Sequence, residues 1–119
     1  MRYAKLVDYC QSLPNATSER KWRNTLVFMV GQKMFALFIM DERDKPVELW
    51  CKVDDEVFLS YTDQPGIRPA PYLARAKWIA MEKNAMTDAM AKQVVSRARD
   101  IIFMKLPKRM QNELRAEER

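Results

Sequence analysis

The run Met34–Met40, MFALFIM, is apolar at every position. It is far shorter than the ~20 residues that cross a bilayer. A short apolar run with no polar face is the mark of a strand covered on both sides. It therefore predicts a central strand, and the rest of the chain must supply material for both faces of the sheet.

The flanking segments supply its partners. Thr25–Val30 is rich in β-formers and is joined to the apolar run by Gly31-Gln32-Lys33, which predicts a hairpin. After a polar turn ending at Pro46, Val47–Val53 alternates: Val47, Leu49, Cys51 and Val53 share one face, and Glu48, Trp50 and Lys52 the other. Trp50, set between opposite charges, is either an exposed stacking platform or packs beneath a neighbouring strand or loop, the commoner fate of such a residue.

Helical patterns bracket these strands. Leu6, Tyr9, Cys10 and Leu13 predict a helix over Tyr3–Ser12, stopped at Pro14-Asn15. Asp54 is expected to N-cap a helix over Asp55–Tyr61. Lys77–Met81 reads as a further strand. Thr87 is expected to cap a helix from Asp88 to about Lys105, with Met90, Val94, Ala98, Ile101 and Ile102 buried and Lys92, Ser96 and Arg99 opposite. Pro107 opens a last helix, followed by a charged tail, Arg115–Arg119. The order predicts one α+β domain over residues 1–119. Its form is a two-layer sandwich, an antiparallel sheet of about four to five strands with helices mainly on one face.

The chemistry left open is narrow. The chain has no histidine, which removes Ser-His-Asp and Cys-His catalysis and most zinc sites. Only 2 Gly argue against a glycine-rich phosphate loop. Cys10 and Cys51 lack a CxxC spacing and read as free, buried thiols. The nine methionines read as core filler. No enzyme activity, metal or cofactor is expected. The start, MRYAKLVDYC, lacks the apolar core of a signal peptide, so a cytoplasmic location without membrane association is expected.

Charge is distributed unevenly. Residues 1–60 balance nine Lys/Arg with nine Asp/Glu, so the whole net charge of +5 lies in residues 61–119. Such asymmetry suits an anionic partner, nucleic acid first and acidic protein second, although many small domains are mildly basic with no such role. The segment Gly66–Met81, GIRPAPYLARAKWIAM, sets Arg68, Arg75 and Lys77 among Tyr72 and Trp78 on a proline-stiffened loop. Cations interleaved with aromatics are suited to gripping phosphates and stacking on bases. The same residues equally suit a crossover loop anchored to the sheet by Tyr72, Leu73, Trp78 and Ile79, with solvated or paired cations.

Four stretches together resemble the MmcQ/YjbR-like family of small bacterial proteins: LVDYCQSLPNATSERKW, LVFMVGQKMFALF, LWCKVDDEVFLSY and RPAPYLARAKWIAM. One departure is Lys77, where members often carry histidine before the tryptophan. The resemblance implies a fold similar to those called CyaY-like or double-wing, and a DNA-binding role without enzyme activity or cofactor. Iron binding does not carry over, because the first helix offers only Asp8, beside Lys5. On this reading Arg68, Arg75 and Lys77 contact phosphates, with Arg20, Lys21 and Arg23 around Trp22 as further candidates and Tyr72 as the aromatic contact. The alternative is a protein-interaction module using the sheet face, with Trp50 and Phe35 or Phe38 as its patch. The two differ in whether Arg68, Arg75, Lys77, Arg97 and Arg99 converge on one exposed face or scatter.

Overall fold

The computed structural model describes residues 3–117. Its elements are α1 (Tyr3–Ser12), β1 (Thr17–Lys21), β2 (Thr25–Val30), β3 (Lys33–Met40), β4 (Pro46–Lys52), α2 (Phe58–Thr62), β5 (Ile67–Pro69), β6 (Trp78–Glu82), α3 (Asp88–Met104) and α4 (Lys108–Glu117). The strands form one antiparallel sheet in the order β1-β2-β3-β4-β6-β5. The expected α+β sandwich is present, with the apolar run at the sheet's centre. Six strands form rather than four or five. The two additions are edge strands: β1, TSERK, is polar throughout, and β5 has only three residues, one of them proline.

Two apolar clusters cover the two faces. On the helical face, Tyr3, Leu6 and Cys10 of α1 and Val94, Val95, Ala98 and Ile102 of α3 pack on Phe28, Phe38, Leu49, Cys51 and Ile79. The rings of Tyr3 and Phe28 both meet Phe38 edge-on, at 5.8 and 6.0 Å between centroids. The Tyr3 hydroxyl donates to the Met81 and Glu82 carbonyls, which ties α1 to β6. On the other face a smaller cluster of Val27, Met29, Leu37, Ala70, Trp78 and Ala80 lies beneath the β5–β6 loop. A register shift between β2 and β3 leaves Phe35 extra, so Phe35 and Ala36 both serve the helical face while Met34 faces the other. Phe35 and Phe38 are thus fully buried and form no surface patch.

Local readings hold to different degrees. Thr87 caps α3, its Oγ1 accepting from the Met90 amide. The hairpin turn is Gly31-Gln32 alone, both at positive φ, as a two-residue type I′ turn requires. Asp54 is extended but its side chain caps nothing, and the chain enters α2 through a 3-10 turn over Asp55–Val57. Its carboxylate is taken instead by Arg97, through two bonds of 2.9 Å. The buried stripe of α3 is rotated from the expected one: Met90 is exposed, and Ala91, Val95 and Phe103 are buried. The supposed solvent face of α3 packs on α1, where Tyr9 bonds Ser96 and lies under Lys92, and Arg99 donates to the Pro14 carbonyl. Helix α4 runs through the first residues of the expected tail, of which Glu118 and Arg119 lie outside the described residues.

Cys10 and Cys51 are buried and unpaired with each other, as expected. Burial pushes the Cys10 thiol up to about 12 and raises that of Cys51 further from reach. No helix among the described residues is long and apolar enough to cross a membrane.

Candidate binding groove on the open sheet face

Cross-strand neighbours share a face, so the register assigns the open face residue by residue. Lys21, Thr25, Ile39 and Glu48 follow one row across β1 to β4, and Leu37, Trp50, Ala80 and Arg68 follow another across β3 to β5. Over this face the residues after β5 fold back as a tight loop. The Ala70 amide bonds the Trp78 carbonyl, and the Trp78 amide bonds the Leu73 carbonyl. Lys52 holds the loop from below. Its side chain is 6% exposed, and its Nζ donates to the Ala76 carbonyl at 2.6 Å and lies 3.5 Å from Asp55. Burial, with Lys105 nearby, lowers the Lys52 pKa.

Between this loop and the β1–β2 turn runs a groove of ≈ 450 Å³. Met34, Leu37, Ile39 and Trp50 line it from the sheet, Trp22 from the turn, and Pro71, Tyr72 and Leu73 from the loop. Trp50 is half-buried and packs with the open-face cluster, the second of its two expected fates. Its indole N–H donates to Glu48, which also accepts from Arg68 at 2.7 Å. Trp22 and Tyr72 stand out instead: they are 71% and 102% exposed. Both also have left-handed backbone, φ 55° and 65°, a region that bulky residues rarely occupy. Tyr72 is therefore not the loop anchor, a role that falls to Trp78 at 4% exposure.

The predicted cations do not converge. Arg20 pairs with Asp44 at 2.6 Å, Lys21 with Glu19 at 3.2 Å, and Arg68 with Glu48. Arg23 turns toward a shallow cleft containing Asp41, Glu42 and Asp44. Lys77, at φ 60°, lies 5.0 Å over the Phe58 ring. Arg97 and Arg99 sit on α3, across the sheet from Arg68. Arg75 is exposed in the loop itself. Of the seven candidates, Lys21, Arg68 and Tyr72 share the open face, and Arg75 stands next to the groove-lining segment. Trp22 is the contributor that the sequence did not single out; its signal was an aromatic stranded in a charged stretch, ERKWR.

A second concavity, ≈ 210 Å³, lies between Lys52, Asp54, Tyr61 and Arg97. It is smaller than the ~300–1,000 Å³ usual for ligand sites, and its Asp54 and Lys52 are committed to Arg97 and Ala76. The Arg97 bonds hold the Asp54 carboxyl below its ordinary value. No cluster of metal-ligating side chains occurs among the described residues.

The fold and groove define a small α+β domain with one sheet face packed by helices and the other partly open. The YjbR family model matches residues 11–101, and the chain belongs to that family. Among solved structures it is similar to protein DR2400 of Deinococcus radiodurans, described as a DUF419 domain. That likeness has a TM-score of 0.83 at 23% identity, over 95% of this chain and 87% of that one. A Pseudomonas syringae protein is similar at a TM-score of 0.69 and 22% identity, over 85% of this chain and 98% of that one. Both likenesses speak for the fold. No curated protein matches.

Proposed function

We propose that the protein is a binding module that holds a protein partner in the groove between Trp22 and Tyr72. One observation carries this reading. Two large aromatics, one on each side of a single groove, are both left in water and both held in a costly backbone conformation. Exposed aromatic area and left-handed φ each work against stability, and their coincidence is the pattern of residues kept for contact rather than folding. The scatter and pairing of the cations favour a protein over a polyanion.

The DNA-binding role implied by the family resemblance stays as a second reading, favoured by Tyr72 and Arg75 standing exposed in one loop. It asks for about four neutralised phosphates and a log K against log salt slope near −3.6.

Selection from a random displayed peptide library separates the two. Wild-type protein is expected to enrich peptides that a Trp22→Asn, Tyr72→Asn variant does not retain. Enrichment of none, together with salt-dependent retention of DNA, would transfer the groove to the second reading. Failure to bind either ligand sinks both.

A further inference from the structure

We infer that the occupant of this groove is a proline-rich segment of the partner in the polyproline II conformation, an inference that rests on the groove being the working surface. Length is the first ground. The groove follows β3 from Met34 to Ile39, which at strand rise is about 15 Å. That accommodates about five residues of polyproline II at ~3.1 Å each.

Hydrogen bonding is the second ground. The groove lies on a sheet face, so it offers no row of free backbone groups such as an edge presents to an added strand. Of its side-chain donors, the Trp50 indole is engaged by Glu48 and the Thr25 hydroxyl by Asn24, which leaves only the isolated Trp22 indole and Tyr72 hydroxyl, one on each side. Two separate donors can meet two carbonyls of an occupant but no N–H row, so the occupant best suited has a backbone that needs no continuous pairing. Polyproline II has no internal hydrogen bonds, keeps its carbonyls in water, and is ordered before it binds.

Charge is the third. Two of the cations beside the groove, Lys21 and Arg68, already carry Glu19 and Glu48, while Arg75 stands exposed in the neighbouring loop. A polyanion would have to displace those carboxylates, whereas an uncharged segment leaves them in place. The lining itself, Trp22, Trp50 and Tyr72 beside Pro71, is of the aromatic kind on which proline rings pack.

The test uses the full chain labelled with ¹⁵N and titrated separately with oligoproline, a Gly-Ser peptide of equal length, an amphipathic Leu/Lys helical peptide and oligothymidylate. Oligoproline is expected to shift the Trp22 and Trp50 indole signals and the Tyr72 amide saturably, while the Gly-Ser peptide does not. Trp22→Asn with Tyr72→Asn, which suit the left-handed backbone, should weaken that binding about tenfold or more. If the double variant loses spectral dispersion, Trp22→Asn alone serves. Shifts at the groove with the helical peptide or oligothymidylate but none with oligoproline overturn the occupant and leave the groove standing. Silence at the groove with every probe overturns this proposal, and the library selection then tells whether the groove reading falls with it.

Discussion

The two faces of the sheet treat their aromatic residues in opposite ways. On the helical face Tyr3, Phe28, Phe35 and Phe38 are excluded from water, and the one polar tip among them, the Tyr3 hydroxyl, has two acceptors. On the open face Trp78 alone is fully packed, Trp50 is half-covered, and Trp22 and Tyr72 are bare. Both faces belong to the same strands, so propensity cannot explain the difference. What differs is the covering layer: helices on one side, α1 and α3 foremost, and a single stiff loop on the other. Stability is concentrated on the helical face, and the residues left over for contact stand on the open one.

The largest test of that division is truncation of Phe38. It is fully buried between Tyr3 and Phe28, and Phe38→Ala should cost about 3–5 kcal/mol. Its strand neighbour Ile39 points into the groove and is only half-buried. Ile39→Ala should cost less than half as much in the same denaturant titration. Equal losses would break the comparison, because they would make the open face as much a core as the other.

A smaller effect is expected where one face supports the other. Lys52 is buried and fastens the loop through the Ala76 carbonyl. Lys52→Met keeps the packing but leaves that carbonyl without its donor, a loss of about 1–2 kcal/mol. The more telling readout is local. Amide exchange should accelerate at Val53 and Trp78, whose acceptors are the Lys77 and Leu73 carbonyls, while exchange in α3 stays slow. Uniform acceleration would mean that the loop is not a separate unit.

Much of this division was legible in the sequence. The uninterrupted MFALFIM run announced a strand covered on both sides, and the alternation in β4 assigned Glu48, Trp50 and Lys52 to the second face. Other parts depended on distant partners. Nothing local to Arg68 reveals Glu48, twenty residues away, and nothing local to Asp54 reveals Arg97. Polar residues on α3 looked solvated because hydrogen bonds and cation–ring contacts with α1 leave no hydrophobic pattern. Strand β1 carries no apolar alternation because it is an exposed edge, where charge protects against pairing with another chain.

The Arg97–Asp54 pair gives a test through pH. Arg97 lowers the folded-state pKa of Asp54, so its contribution is complete above the ordinary carboxylate value of about 3.9. That contribution fades as pH falls through the lowered folded value. Arg97 is largely exposed, so solvent screening holds the pair to about 1 kcal/mol or less. Arg97→Ala should therefore lower stability at neutral pH and flatten its decline in acid. Groove binding at neutral pH should be unaffected by the variant, because the pair lies on the other side of the sheet.

The smallest effect has the opposite sign, and for that reason it tests the comparison most directly. A core aromatic stabilises the fold, so replacing it with a small polar residue must destabilise. Trp22 covers little, stands 71% exposed and holds φ at 55°. Asparagine occupies that region several-fold more readily than bulky residues do, and it removes an exposed apolar surface. Trp22→Asn is thus expected to raise stability by about 0.5 kcal/mol while weakening binding in the groove. The same substitution at Tyr72, with φ 65°, should behave alike. If Trp22→Asn instead destabilises by 1 kcal/mol or more, the indole contributes to folding, and its strained exposure no longer argues for a partner. If stability rises and binding weakens, the two faces are separable by substitution: one can be weakened without touching contact, the other strengthened only at its expense.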